Sequence, residues 1–354
     1  MGESHAVDTD EIRIRRVTPR DADTLKRLFE TNPDGGDVQF APTFETDPYE
    51  TYTRLVPADD IVGLLAETPT GRAVGAGFVA VSEARIGGEI RPRGYLAGLV
   101  VDNEYRGNGI AKELATARIR TAEETAGADV VIAAAIQSGN EPSKAVARSW
   151  ADGFPYEYCN HSVSLRETEP ESGFAYETVD ASDLSTFVEG INRFYRDAEM
   201  YVPYEEDSLA AMLETPIEDE YVHRCDMLAR DGEYVAGAHL IEQHKLLSAV
   251  VESLPPELED ADELPPSIPD DREIRPTFAI PWFKPGHPEA GDAVIEHVRA
   301  NAGRANRVMI PFDPGGPLGQ VDVLTPDEGT LRLNWALRGL EEPIPDAYVA
   351  PGIG

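Results

Sequence analysis

A glycine-rich turn between an apolar run and a helical pattern is the part of this sequence whose residues are best suited to chemistry. Residues 96–101 predict a short buried strand, and residues 106–111 (RGNGIA), here called the glycine turn, lead into the helical pattern. Glycines at the start of a helix let an anion approach the main chain closely, and the first N–H groups of a helix have no intrahelical acceptor. Because the helix dipole adds a partial positive charge there, the segment predicts a phosphate-binding turn.

Two common phosphate-binding patterns do not fit the glycine turn. A P-loop requires GxxxxGK[ST], and neither Gly107 nor Gly109 is followed by that pattern. A Rossmann turn requires GxGxxG, and its third glycine position holds Lys112. The pattern [QR]-x-x-G-x-[GA] does fit, with Arg106, Gly109 and Ala111 at its fixed positions. On the turn alone, an ordinary glycine-rich β–α turn remains the alternative.

The elements around the glycine turn resemble, in order and spacing, those of the GNAT N-acetyltransferase superfamily. A helix over 109–126 is followed by a buried strand over 129–136, then by Asn140 and Ser143 in the pattern Asn-x-x-[AS], a second helix and a Gly-Phe pair. In GNAT proteins this series carries the acetyl-CoA site. The resemblance covers residues 11–167 and implies that they form a GNAT acetyltransferase domain.

The resemblance implies acetyl-CoA as co-substrate and a set of residues that bind it. The end of the strand would pair with the pantetheine arm, the glycine turn would hold the pyrophosphate through main-chain N–H groups, and the asparagine would contact the arm. These expected cofactor-binding residues are Leu99, Val100, Val101, Arg106, Gly107, Asn108, Gly109, Ile110, Ala111 and Asn140. For the asparagine, a helix-capping role is the alternative. No metal is expected.

Acetyl transfer to an amine needs a base for the amine, a polarised thioester carbonyl and a proton donor for the departing thiolate. Many GNAT members carry a tyrosine seven residues after the asparagine, where this chain has Ala147. Main-chain N–H groups near Val101 would polarise the carbonyl. The candidate catalytic side chains are Ser143 and Tyr156, with Tyr158, as proton donors, and Glu89, with Glu83, as the base. Strand aromatics and surface charges are the alternatives for these side chains.

The charge balance is strongly acidic, with 65 acidic residues against 31 basic ones and a formal net charge of −34. Such a surface repels itself less at high salt, which favours a protein of a high-salt cytoplasm, and it also repels the phosphates of nucleic acid. No apolar run reaches membrane-spanning length, and the polar N-terminus is not signal-like. The two cysteines, Cys159 and Cys225, provide no disulfide framework, as expected for a reducing compartment.

A similar order of elements begins again after residues 168–173, which are typical of a linker. The sequence therefore predicts an α/β (α+β) fold of two tandem GNAT-like domains, each with a mixed, mostly antiparallel sheet flanked by helices. The first would follow a disordered tail over 1–10, and the second would cover 174–354, with an acidic, proline-rich mobile loop at 252–276. Where the glycine turn should recur, residues 283–289 (FKPGHPE) offer two prolines without N–H groups and a repelling Glu289. The second domain is expected to be a degenerate copy.

The predicted function is transfer of acetyl from acetyl-CoA to a primary amine of a small-molecule or peptide acceptor, without nucleic-acid or membrane partners. A non-catalytic acetyl-CoA-binding or regulatory module is the alternative, favoured by the missing tyrosine. A second alternative is a zinc site built from Cys159 and His161 together with His223 and Cys225. Scattered core cysteines and histidines explain the same four residues.

Overall fold

The structure is a computed structural model that describes residues 12–351 except 34–35, 57, 59, 169–171, 181, 218, 260–263, 265–267 and 328. The predicted tail over 1–10 and the middle of the predicted linker lie outside the described residues. The strands are β1 (Arg13–Arg16), β2 (Gln39–Phe44), β3 (Asp60–Glu67), β4 (Ala73–Ile86), β5 (Glu89–Val101), β6 (Val131–Gln137), β7 (Gly153–Ser164), β8 (Ala175–Thr178), β9 (His223–Arg230), β10 (Glu233–Ile241), β11 (Leu247–Ser253), β12 (Glu273–Ile274), β13 (Pro276–Phe283), β14 (Arg307–Phe312) and β15 (Leu331–Arg338). The α-helices are α1 (Ala22–Glu30), α2 (Pro48–Leu55), α3 (Ile110–Ala126), α4 (Glu141–Ala147), α5 (Leu184–Tyr195), α6 (Glu206–Glu214), α7 (Pro256–Glu259) and α8 (Pro288–Ala300).

Twelve strands form one sheet in the order β1-β3-β4-β5-β6-β15-β7-β14-β13-β10-β9-β8. Its strands pair antiparallel except for β5 with β6 and β13 with β14. Helices α3 and α8 cover parts of this sheet through buried apolar faces. The predicted fold class, a mixed, mostly antiparallel sheet flanked by helices, is confirmed. None of the helices that the structure describes has both the length and the apolarity to span a membrane.

The two halves of the chain exchange strands at the middle of the sheet. The last strand, β15, lies between β6 and β7 of the first half, and β7 in turn pairs with β14 of the second half. Each half therefore contributes a strand that extends the sheet of the other. The division into domains at residues 168–173 stays a prediction, and the two stretches that it separates share one sheet.

Strand β5 is longer than the short strand predicted over 96–101, because it already begins at Glu89. Gly87 and Gly88 have φ of 65° and 82°, the conformation of a two-residue hairpin turn between β4 and β5. The buried Glu199 accepts hydrogen bonds from both glycine N–H groups, at 2.6 and 3.0 Å, and fixes this turn. The long hairpin carries residues from the middle of the sheet toward the second half of the chain.

The predicted mobile loop over 252–276 is partly wrong. Strands β11 and β12 pair with each other, and β11 pairs with β2, in a separate three-stranded sheet. Leu254, Ile268 and Ile274 are buried against Val38 and Val251. A few apolar residues spaced along an acidic segment thus suffice to hold its described parts against the chain.

Candidate active site

Strands β5 and β6 separate toward their carboxyl ends. Their parallel pairing covers residues 93–95 of β5 and 131–133 of β6, and β5 then continues for six residues to Val101. The antiparallel neighbour β4 stays paired with β5 as far as Val101. The structure therefore opens a gap beside residues 96–101, at the edge of the sheet where the glycine turn begins.

A β-bulge interrupts β5 inside this gap. Phe78 pairs with Ala97 and Ala76 with Val100, so that Gly98 and Leu99 together oppose one residue of β4. Gly98 has φ of 56°, and a Cβ at that position would lie 2.6 Å from the hydroxyl oxygen of Tyr52. A bulge leaves its extra residue outside the hydrogen-bond ladder, which makes main-chain groups of this segment available to a ligand. The sequence analysis predicted that main-chain N–H groups near Val101 would polarise the thioester carbonyl.

The glycine turn connects the end of β5 to α3. Gly107 and Gly109 have φ of 82° and 79°, backbone conformations that residues other than glycine rarely adopt. Lys112 and Glu113 donate to the carbonyl of Gly109 at 2.9 and 3.2 Å, so the N–H groups before Lys112 belong to the part of the helix that has no intrahelical acceptors. Arg106 holds the turn against the strand, because its Nε donates to the carbonyl of Val101 at 3.1 Å. Apart from its chain neighbours, no atom of the described residues lies within 4 Å of a Cβ built on Gly107, so the turn has an open side.

Asn140 and Ser143 lie at the start of α4, just after β6. The buried Asn140 accepts a hydrogen bond from the Ser143 N–H at 3.0 Å through its side-chain oxygen. This is the capping geometry that the sequence left open, and a contact of Asn140 with a cofactor stays a prediction. Because β5 and β6 run parallel, this turn and the glycine turn lie at the same edge of the sheet.

The remaining predicted catalytic side chains are not brought to the glycine turn. Glu89 lies at the far end of β5, where it pairs with Ile86, roughly 40 Å along the strand from Val101 at about 3.3 Å per residue. The hydroxyl of Tyr156 accepts a hydrogen bond from the N–H of Ile344 at 3.0 Å. Burial raises the pKa of Tyr156. Ala147, at the position where a tyrosine was expected, is buried.

A cavity of about 240 Å³ lies between the two halves of the chain. The first half lines it with Ser82 and Glu83 of β4 and Arg93 and Tyr95 of β5, and the second half with residues that include Tyr204, His223 and His239. Tyr95 packs in the same apolar cluster as Phe78 and Ala97, whereas Leu96 packs in the cluster of α3. The cavity therefore opens on the face of the sheet opposite α3. Of the two glutamates considered as a base, Glu83 reaches this cavity.

A chain of three hydrogen bonds forms one wall of the cavity. The Tyr204 hydroxyl is 2.8 Å from His239 Nδ1, His239 Nε2 is 3.0 Å from His223 Nδ1, and His223 Nε2 is 3.1 Å from the carbonyl of Arg54. A carbonyl accepts only, so His223 donates through Nε2 and accepts at Nδ1 from His239. The same reasoning makes Tyr204 the donor to His239. The lone pairs of the Tyr204 oxygen are then left to accept hydrogen bonds from a ligand.

Burial keeps all three side chains of this wall uncharged. It lowers the pKa of His223 to about 4 and that of His239 well below its ordinary value. It raises the pKa of Tyr204 well above its ordinary value. An imidazole that resists protonation is a poor acceptor for the proton of an alkylammonium ion. The wall is therefore suited to position a ligand rather than to take its proton.

The described segment between β13 and α8 does not repeat the glycine turn in the second half. Strands β13 and β14 also pair over three residues only, so they too diverge. Next to that gap, however, Lys284 is paired with Glu233 at 2.6 Å, and Glu289 with Arg230 at 2.8 Å. The basic groups near this helix start are thus already neutralised by carboxylates.

The two cysteine–histidine pairs considered for zinc do not meet. His161 lies on β7 and contacts Thr330 at 2.9 Å, whereas His223 lies on β9 and contacts His239. Three strands lie between β7 and β9, so four inter-strand spacings of about 4.8 Å place the two strands roughly 19 Å apart. No group of three or more metal-ligating side chains occurs among the residues that the structure describes.

No sequence pattern indicated Tyr52, Tyr204 or His239 as site residues. Tyr204 and His239 are 35 positions apart, and His239 and His223 are 16 apart. The β9–β10 hairpin brings the two histidines together, and the segment after α5 brings Tyr204 to them. No local sequence pattern connects these two parts of the chain. Tyr52 reaches the bulge from α2, a helix that the sequence pattern did not predict.

A sheet that opens beside a bulged strand, followed by a glycine turn at the start of a helix, is the arrangement that the sequence resemblance to GNAT acyltransferases leads us to expect. Comparison with protein families agrees, because residues 28–151 match the acetyltransferase (GNAT) family. The matched stretch contains the bulge, the glycine turn and Asn140. No curated protein sequence matches the chain.

Solved structures resemble almost the whole chain. N-myristoyltransferase of Saccharomyces cerevisiae with bound myristoyl-CoA aligns with a TM-score of 0.64 and 11% identity, over 97% of this chain and 84% of that one. A GCN5-related N-acetyltransferase from Sphaerobacter thermophilus aligns with a TM-score of 0.59 and 14% identity, over 95% and 98% of the two chains. One from Anabaena variabilis aligns with a TM-score of 0.54 and 10% identity, over 93% and 73%. Identities of this size show a shared fold, and the family match supports an acyltransferase.

Proposed function

We propose that this protein is an N-acetyltransferase that transfers acetyl from acetyl-CoA to a primary amine. The observation that carries the proposal is the continuity of the bulge at Gly98 and Leu99 with the glycine turn. One short stretch of chain thereby offers main-chain donors to both ends of the co-substrate, the thioester and the pyrophosphate. The GNAT family match over residues 28–151 supports the same assignment.

Each predicted cofactor residue has a role in this proposal. Residues 99–101 would pair with the pantetheine arm along the open side of β5, and residues 106–111 would hold the pyrophosphate. Bound acetyl-CoA supplies the thioester that the acceptor amine attacks. Main-chain N–H groups at the bulge would stabilise the negative charge that develops on the thioester oxygen. Asn140 would contact the arm from the end of β6.

The packing around the bulge favours a short acyl group. Tyr52 stacks on Phe78 with ring centroids 4.2 Å apart, and Phe29 stacks on Phe78 at 6.0 Å. Tyr52 and Phe78 are the side chains that a Cβ at Gly98 would meet, so they limit the space beside the bulge. We expect acetyl-CoA to be used more efficiently than octanoyl-CoA or myristoyl-CoA. A preference for the long chains would contradict this choice of donor.

Substitution of Gly109 tests the function. Gly109→Val should lose acetyl-CoA binding, because a β-branched side chain excludes the pyrophosphate, and each lost charge-assisted hydrogen bond costs roughly 1.5–3 kcal/mol. Gly232→Val is the matched control, since Gly232 also has φ of 79° but lies in the β9–β10 turn. The control should lose similar stability and keep its affinity in calorimetry. Equal acetyl-CoA affinity in Gly109→Val and the parent would overturn the assignment.

A non-catalytic acetyl-CoA-binding module is the second candidate function. It is favoured by the absence of a tyrosine at position 147 and by the engagement of the Tyr156 hydroxyl with the main chain at Ile344. Release of free CoA with a panel of amines, measured at high salt, separates the two. Tight acetyl-CoA binding without turnover of any amine or peptide would support the binding module.

The acidic surface belongs to the same proposal. We place the protein in a high-salt cytoplasm, since its net charge of −34 is tolerated best where repulsion is screened within a few ångströms. Activity should therefore be higher in molar salt than at about 0.1 M.

A further inference from the structure

Arg93 is a buried cation that the protein does not neutralise. Its side chain lies on β5, lines the cavity between the halves, and is 3% exposed. It donates to the carbonyl of Met200 at 3.4 Å and to the Ser82 hydroxyl at 3.2 Å, and it lies 5.3 Å from the centroid of the Tyr95 ring. Its Nε has no hydrogen-bond partner in the part of the chain that the structure describes. Among the described residues, no carboxylate lies within ion-pairing distance of it.

A buried charge without a counter-charge is costly, so its retention requires a reason. Burial lowers the pKa of Arg93 to about 10, which leaves the guanidinium charged at neutral pH. Arg118 is equally buried, but its guanidinium is packed against the main chain, where it donates to the carbonyls of Ala97 at 3.1 Å and Leu114 at 3.3 Å. Arg93 differs because it faces an open cavity.

The other charged groups of the cavity are distributed around its rim. Glu83 and Glu205 line it with exposed side chains, and Arg54 is half-buried. A ligand carboxylate would therefore find its counter-charge at Arg93, where a planar guanidinium can bind both oxygens. The Tyr204 oxygen, held by His239, would accept a hydrogen bond from an N–H group of the same ligand.

The length of β5 sets the length of the ligand. Six residues separate Arg93 from Leu99, which corresponds to roughly 20 Å along the strand. After a side-chain reach of roughly 7 Å is subtracted, the guanidinium still lies more than about 10 Å from the bulge. A free amino acid is too short to place its carboxylate at one point and its amine at the other, whereas an extended peptide of about four to six residues spans the distance.

We propose that the cavity is the acceptor site, that the acceptor is a short peptide with a free N-terminal amine, and that Arg93 binds a carboxylate of that peptide. The inference rests on the proposed N-acetyltransferase function, because the bulge defines where the amine must reach. The carboxylate belongs either to an acidic side chain or to the C-terminus of the peptide.

The experiment measures kcat/KM for a series of hexapeptides with acetyl-CoA. One arm uses C-terminally amidated peptides of glycine and serine with a single glutamate moved from the second to the sixth position, each with its glutamine counterpart. The other arm compares the free-acid and amide forms of the peptide without glutamate. For the parent protein, we expect the best-placed carboxylate to raise kcat/KM by roughly 10- to 100-fold.

Variants of Arg93 identify the residue responsible. Arg93→Met should abolish the preference for the carboxylate peptide over its uncharged counterpart, and Arg93→Lys should keep part of the preference. Arg91→Met is the matched control, since Arg91 lies two residues away on the same strand and outside the cavity lining. The control should keep the whole preference.

The outcomes separate this inference from the proposed function. A preference that persists in Arg93→Met and Arg93→Lys, or a parent without preference in either arm, would overturn the role of Arg93. If no peptide is acetylated, titration of the glutamate and glutamine peptides into the CoA-bound protein still tests the carboxylate site. Failure to bind acetyl-CoA would instead refute the proposed function. Melting curves of the Arg93 variants show that the comparison is made between folded proteins.

Discussion

Replacement of Gly98 by alanine tests whether the bulge in β5 is the part of the fold that performs the chemistry. The left-handed φ of 56° costs a non-glycine residue about 1–2 kcal/mol. The new Cβ would lie 2.6 Å from the Tyr52 hydroxyl oxygen and 2.9 Å from the Phe78 ring, and overpacking of this kind costs about 1–3 kcal/mol more. We therefore expect Gly98→Ala to lower the free energy of unfolding by about 2–5 kcal/mol, measured by urea denaturation at high salt.

Gly107→Ala provides the comparison, because Gly107 also has positive φ, whereas its added Cβ would meet no described residue within 4 Å other than its chain neighbours. That variant should lose only the conformational part, about 1–2 kcal/mol. In CoA-release assays, Gly98→Ala should lower kcat by about 100-fold or more, because the clash moves the main-chain donors of the bulge out of line with the developing oxyanion, which costs about as much as the loss of such a donor. Its acetyl-CoA affinity should change little. Equal stability of the two variants, or an unchanged kcat in Gly98→Ala, would refute the role given to the bulge.

Three further predictions concern pH, salt and stoichiometry. The pKa of His223 is lowered to about 4 in the folded protein, so the unfolded chain takes up this proton first as the pH falls below 6.5. Between pH 7 and pH 5 the parent should therefore lose about 2 kcal/mol more of its free energy of unfolding than His223→Gln does. Urea midpoints that fall in parallel for the two proteins would contradict this. The melting temperature should fall when salt is lowered from about 1 M to about 0.1 M, because the screening length rises from about 3 to about 10 Å; a temperature insensitive to salt would count against the habitat argument. Calorimetry should give one acetyl-CoA per chain, and Lys284→Ala should not change this stoichiometry. The reason is that carboxylates already neutralise Lys284 and Arg230 in the second half. A second binding site that is lost in Lys284→Ala would show that the second half also binds acetyl-CoA.

Local patterns predicted the elements that depend on local interactions. The turn at Asp231 and Gly232, with φ of 54° and 79°, joins β9 and β10, and an Asp-Gly pair adopts this conformation readily. Helix α5 likewise follows a local pattern, since its buried apolar residues recur at helical spacing. The glycine turn and the start of α3 were also predicted from the sequence. These features are decided within a few residues of chain.

The features that the sequence did not predict depend on pairing between residues far apart in the chain. The position of β15 between β6 and β7 depends on contacts between residues about 200 positions apart. The bulge at Gly98 became visible only from the register of β5 against β4, and the hydrogen bonds of Tyr204 and His239 only from the fold. Glu89 was placed near the site because β5 was expected to begin later than it does. Its carboxylate lies at the far end of a longer strand.

The strand exchange between the halves also has a consequence for how the protein is made. Strand β6 ends at Gln137, and β15, which covers its edge, begins nearly 200 residues later. At a synthesis rate of about 5–20 residues per second, β6 and β7 wait roughly 10–40 s on the ribosome without the strand that fits between them. An uncovered strand edge is open to wrong pairing during that interval. The cavity, which needs Arg93 from the first half and Tyr204 from the second, forms late in synthesis, so unfinished chains that carry the glycine turn lack the acceptor site.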